Sequence, residues 1–126
     1  MLKHIAIWLD HREAHVFHID RDTVQEATVL APARIHHKHE TAIAAAHEHP
    51  DDEKRFFHEI VSKLEGPEEI LVVGPATAKL EFIRYLHKSA PLLEARIVGV
   101  ETVDHPTDGQ LVAYAKKYFE KTDRMR

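Results

Sequence analysis

Ile70-Leu71-Val72-Val73-Gly74-Pro75 decides the fold. Four consecutive β-prone apolar residues closed by a glycine-proline pair have the form of a strand buried on both faces. A helical pattern follows, with Leu80, Ile83, Leu86 and Ala90 on its inner side, and Pro91 closes the segment. Arg96-Ile97-Val98-Gly99-Val100 then reads as a further strand, ended by Asp104-His105-Pro106. Strands joined through a helix call for a crossover connection, so the sheet is expected to carry helices on its faces.

Upstream, Ile5, Ile7 and Leu9 alternate with Ala6 and Trp8, a strand apolar on both sides. Asp10-His11-Arg12-Glu13 is turn-like. Ala14 to Asp20 alternates again, Arg21-Asp22 turns the chain, and Thr23 to Leu30 is a third strand, which Ala33-Arg34-Ile35-His36 extends after a bend at Pro32. Asp51-Asp52-Glu53 place acids in the first turn of a helix whose apolar face is Phe56, Phe57, Ile60, Val61 and Leu64, stopped by Gly66-Pro67. Downstream, Thr107 with Gln110 three residues on is a capping box for a last helix faced by Leu111, Val112, Ala115 and Phe119.

The order is β-β-β-α-β-α-β-α, predicting an α/β three-layer domain with a mixed five-stranded sheet, the element order of the ribonuclease-H-like architecture. At 126 residues, 1–126 reads as one domain. The expected exceptions to regular structure are a mobile histidine-rich loop at 36–50 and a frayed tail at 121–126. With 44% apolar and 30% charged residues the composition is globular. The absence of cysteine excludes disulfides and thiolate chemistry within this sequence. No run is long enough to span a bilayer, and the reading is cytoplasmic, with no membrane partner. A net charge of −4 argues against a bulk basic field for nucleic acid. Protonating all twelve histidines would carry it to +8, so surface charge depends on pH near neutrality. An edge strand of the meander offers pairing across a two-fold axis, a route to a homo-oligomer.

Four groups of residues carry candidate chemistry. Gly74 and Lys79 flank a helix start, where free N–H groups and an ammonium suit a phosphate; the alternative is a tight strand-to-helix turn, with glycine for close packing and proline to start the helix. Asp10 and Asp104 fall at strand ends, with Glu13 nearby. They would gather Mg²⁺ in a metal-dependent nuclease, or simply shape the two turns. His37, His39, His47 and His49 have paired spacing suited to imidazole-bound metal, or form a solvated loop. His11, Arg12, Arg34, His36, His37, Lys38 and His39 make a local basic patch fit for RNA phosphates, or ordinary surface. Tyr85, Tyr114 and Tyr118 have helix spacing and read as packing. No Ser-His-Asp set assembles, and no cofactor is called for.

With these elements placed, Ile70-Leu71-Val72-Val73-Gly74-Pro75-Ala76-Thr77-Ala78-Lys79, followed by Phe82, resembles a segment of the middle domain of archaeal and eukaryotic release factors and Pelota. Ile7-Trp8-Leu9-Asp10-His11-Arg12-Glu13-Ala14 is similar to bacterial proteins labelled "translational machinery protein", small relatives of that domain. So is the stretch Val100 to Leu111, which contains the motif Asp104, His105, Pro106, Thr107, Gly109 and Gln110. The resemblance runs from about Ile5 to Phe119. It implies a ribonuclease-H-like fold and a ribosome or tRNA partner. In release factors a Gly-Gly-Gln loop between the third strand and the first helix promotes peptidyl-tRNA hydrolysis. The corresponding interval here, His36 to Pro50, has no glycine. The resemblance therefore implies a non-enzymatic, translation-associated protein, with the nuclease and the histidine-loop metal protein as alternatives.

Overall fold

Side-chain alternation along β1 (His4–Leu9) sets how the layers stack. Ile5, Ile7 and Leu9 join one apolar cluster, whereas Ala6 and Trp8 join another on the opposite face. Both faces are covered, so a run without polar interruption is what this strand requires. The computed structural model describes residues 3–32, 50–64, 66 and 69–125. After β1 come β2 (Glu13–Ile19), β3 (Val24–Leu30), α1 (Pro50–Ser62), β4 (Glu69–Gly74), α2 (Ala78–Ser89), the single turn α3 (Pro91–Glu94), β5 (Ile97–Thr102) and α4 (Asp108–Arg124).

The five strands form one open mixed sheet in the order β3-β2-β1-β4-β5. The meander pairs antiparallel, Ile7 opposite Val16 and Val16 opposite Ala27. β4 runs parallel to β1, with Ile7 opposite Val72, and β5 runs parallel to β4. The expected α/β sheet with helices on both faces is present. Ile5, Ile7, Val16, Ile70 and Val72 pack under α1 and α2 through Phe56, Phe57, Ile60, Phe82 and Leu86. Ala6, Trp8, Phe17, Leu71 and Val73 pack under α4 through Leu111, Ala115 and Phe119. Phe82 and Phe119 are at most 2% exposed, and burying each such ring contributes about 2–3 kcal/mol.

Two expectations need correction. Leu80 is half exposed, at 50%, and the inner face of α2 is Ala78, Phe82 and Leu86. The row Ala78, Phe82 and Leu86, spaced every four residues, faces the sheet, and Leu80 lies about 160° round the helix from Phe82. Pro91 opens α3 instead of only ending α2, its fixed φ suiting the first position of a helix. α4 extends through Arg124, with Phe119 buried against the sheet. The Ala33–His36 extension lies outside the described residues, as does the 36–50 loop apart from Pro50, which begins α1.

Gly74 ends β4 where it passes closest to β1. A Cβ there would stand 2.2 Å from the Leu9 carbonyl oxygen, a backbone atom that cannot swing aside. Gly74→Ala is expected to cost about 1–3 kcal/mol by overpacking, read as a lower urea midpoint at unchanged slope.

Glu53, in the first turn of α1, has its carboxyl pushed above the usual range by burial, then by its hydrogen bond to Glu81 of α2 and that carboxylate's charge. His11 and Arg84 oppose the shift. A carboxyl raised in the folded state favours folding below its unfolded pKa and loses that contribution as pH rises through the folded one. Glu53→Gln should therefore raise Tm at pH 7 relative to the parent, and the gain should vanish in melts near pH 4.

Candidate functional site

β1, β4 and β5 are mutually parallel, so their carboxyl ends share one edge of the sheet. From there β4 leads into α2 on one face and β5 into α4 on the other. Open sheets of this kind leave a crevice where successive connections part. The residues gathered there are Trp8, Asp10, Glu13, His15, Asp104, His105 and Asp108.

Asp10 closes the first hairpin. Its Oδ1 accepts the N–H groups of Arg12 at 2.8 Å and Glu13 at 2.9 Å, an Asx turn. Trp8 lays its indole in the core under α4, and its Nε1–H donates to the Asp104 carbonyl oxygen at 2.7 Å. That bond ties the exit of β5 to the end of β1. The His105 ring lies against the same indole, centroids 5.0 Å apart. Its Nδ1 is 2.8 Å from Asp104 Oδ1, and its Nε2 is 3.8 Å from Asp10 Oδ2. One imidazole thus stands between the Asp10 and Asp104 carboxylates. His15 meets Trp8 edge-on at 5.8 Å and pairs through Nδ1 with Glu26 Oε2 at 2.9 Å. Thr107 and Gln110 form the expected capping box at the head of α4, exchanging bonds of 2.9 and 3.1 Å.

A cavity of about 120 Å³ opens between Trp8, His15, His105, Pro106 and Asp108, room for a few waters or a small cation. Glu13 and Asp108 line it, and Glu26, Asp104 and Asp10 pair with the His15 and His105 rings beside it, so the corner's carboxylates oppose a bound phosphate. His15, Glu26 and Asp108 bring ligand atoms within 4.8 Å of one another. Asp10 and Asp104 belong to no such group among the described residues.

The other sequence candidates are dispersed. Arg12 is exposed in the β1–β2 turn, and its carbonyl accepts the Ala31 N–H at 2.8 Å, so the chain leaves β3 beside it. Lys79 is only 5% exposed and donates to the Ala76 carbonyl, which commits its ammonium to the turn after β4. Gly74 is likewise occupied by the contact with Leu9. Arg34, His36, His37, Lys38, His39, His47 and His49 lie outside the described residues.

Sequence reasoning did not single out Trp8, His15, Glu26 or Asp108 as site residues. The signal was available for two of them, because an Asp10–Glu13 hairpin sets Trp8 opposite His15. Glu26 and Asp108 depend on the third strand's register and on where α4 starts.

No protein-family model and no curated protein matches the chain. Solved structures do. Pelota from Archaeoglobus fulgidus superposes with a TM-score of 0.63 at 18% identity, over 91% of this chain and 31% of that one. An archaeal translation termination factor, aRF1, gives 0.58 at 15% identity, over 98% and 39%. S. cerevisiae Dom34, described as a translation termination-like factor involved in RNA quality control and interacting with Hbs1, gives 0.57 at 12% identity, over 90% and 32%. The chain shares the fold of a part of these proteins, spanning about a third of their length.

Trp8→Phe keeps an aromatic ring in the core but removes the N–H that holds Asp104 and part of the indole's buried volume. It should cost at least about 1–3 kcal/mol in chemical denaturation, with the far-UV spectrum unchanged.

Proposed function

We propose that this protein is a translation-associated factor that contacts the ribosome or tRNA without hydrolysing peptidyl-tRNA. The observation that carries the reading is the fold shared with Pelota and aRF1 over nine-tenths or more of the chain. The stretches Ile7–Ala14 and Val100–Leu111, which resemble the bacterial translational machinery proteins, support it from the sequence side. We also assign the sheet to the ribonuclease-H-like architecture. The central β1, the antiparallel meander on one side and the parallel β4-β5 pair on the other support that assignment.

The contact surface is the Arg12 turn together with Arg34, His36, His37 and Lys38. Arg12 is exposed beside the point where the chain leaves β3, so these cations are close in sequence to one edge of the sheet. RNA phosphates need local positive charge rather than a basic whole. The acid-lined corner around Trp8 and His105 does not suit phosphate. Its carboxylates instead leave the metal-dependent nuclease as the competing reading, with His105 between Asp10 and Asp104. A cytoplasmic location accords with the proposed role. Among the described residues no helix is long and apolar enough to cross a membrane.

Sedimentation through sucrose with ribosomes is the direct test. The parent protein should travel with ribosomal particles at low salt and leave them as salt rises, each phosphate contact contributing about 0.7–0.9 to the logarithmic slope. Combined Arg12→Glu, Arg34→Glu and Lys38→Glu should lower the bound fraction at least about tenfold and flatten that slope. A parent absent from every ribosomal fraction at low salt overturns the proposal. Mg²⁺-dependent RNA cleavage abolished by Asp10→Asn would favour the nuclease.

A further inference from the structure

The opposite edge of the sheet, where β1 and β4 begin, holds a second group of ligating side chains. His4 and Glu69 are directly paired residues on adjacent parallel strands, so their side chains leave the sheet side by side. Both are on the face that α4 covers. The last turn of α4 passes over them and supplies Asp123. Ligand atoms of all three converge within 4.8 Å. His4 Nε2 lies 3.1 Å from Glu69 Oε1 and 3.4 Å from Asp123 Oδ2.

Two features separate this group from a surface ion pair. The first is directional. A single ring nitrogen faces two carboxylate oxygens, yet His4 Nε2 is buried and makes no hydrogen bond of acceptable geometry with either. One N–H points along one line, whereas a cation bound at that nitrogen reaches both oxygens. Tetrahedral zinc with bonds of roughly 2.0–2.2 Å keeps its ligand atoms about 3.3–3.6 Å apart; the 3.4 Å separation falls in that range and the 3.1 Å one just under it. The second is electrostatic. Glu69 is 1% exposed, and Asp123 stands at the negative end of a helix dipole, where a carboxylate is disfavoured. Two acids and a helix carboxyl end stand around one imidazole, a donor set that a divalent cation takes, with Arg21 and Lys116 lining the cleft beyond it.

The ring is also held in place. His4 stacks on Phe119, centroids 4.3 Å apart and planes 14° off parallel, which fixes where Nε2 points. His4 and Asp123 line a cleft of about 460 Å³ with Ile19, Arg21 and Lys116, giving an entry path and space for water as a further ligand.

We infer that His4, Glu69 and Asp123 form a divalent-metal site, with zinc as its occupant, that fastens the last turn of α4 to the amino ends of β1 and β4. The nitrogen-oxygen-oxygen donor set suits a borderline cation such as zinc. The site is independent of the proposed RNA contact and remote in sequence from the 36–50 histidines.

The test uses full-length untagged protein, stripped of metal and titrated with Zn²⁺ against a chromogenic chelator. Three proteins are compared: the parent, Asp123→Asn, and a variant with His37, His39, His47 and His49 all changed to Asn. The parent and the loop variant should bind one zinc per chain with equal affinity and melt at higher temperature with zinc than without. Asp123→Asn should weaken that site at least about tenfold and lose the zinc-dependent rise in Tm. His4→Gln should do the same, which guards against a folding defect peculiar to one substitution. Zinc binding lost in the loop variant, or unchanged by Asp123→Asn and His4→Gln, places the metal elsewhere and overturns the inference. A parent that binds no stoichiometric zinc leaves an ion-paired triad only and also overturns it.

Discussion

β1 has neither a solvent face nor a free edge. β2 and β4 hydrogen-bond its two sides, and α1 with α2 above and α4 below cover its two faces. A strand so enclosed tolerates no unpaired polar group along its length, because each would cost a few kcal/mol to bury. Its only polar side chains are accordingly at its ends. His4 opens the strand, Asp10 follows its close, and Trp8 sends its one polar atom out to Asp104. Those places are where the chemistry collects, one group at each end of the sheet. Gly74 belongs to the same constraint, since β4 can run past Leu9 only if it carries no side chain there.

The fold was legible because burial on both faces leaves an unbroken apolar run. Ile70-Leu71-Val72-Val73 and Ile5 to Leu9 announce themselves in that way, and the amphipathic stripes of α1 and α4 follow from the spacing of Phe56, Ile60, Leu111, Ala115 and Phe119. Leu80 misled because two apolar rows compete for the sheet. The row through Ala78, Phe82 and Leu86 carries the larger ring inward, which leaves Leu80 outward. The capping box was readable because it is local, a threonine and a glutamine three residues apart.

The sites were far less legible, for a reason of distance along the chain. His105 reaches Asp10, Trp8 reaches Asp104, and His4 reaches Asp123, all across most of the sequence. No spacing rule connects such partners; only the parallel register of β1 with β4 and the path of α4 across them do. Lys79 shows the converse. A lysine at a helix start suggests a phosphate, but the side chain is long enough to turn back on its own loop and donate to Ala76.

The bond from Trp8 to Asp104 spans 96 residues and has a consequence for how the chain is made. β1 is synthesised well before α4, which covers one of its faces. At ordinary translation rates of about 5–20 residues per second, that face stays bare for several seconds after β1 is complete. The meander can form early, since its pairings are local. The sheet becomes a closed three-layer body only when residues beyond Asp104 have left the ribosomal exit tunnel. A chain stopped short of α4 would present Ala6, Trp8, Phe17 and Leu71 to solvent, an apolar strip for a chaperone to recognise.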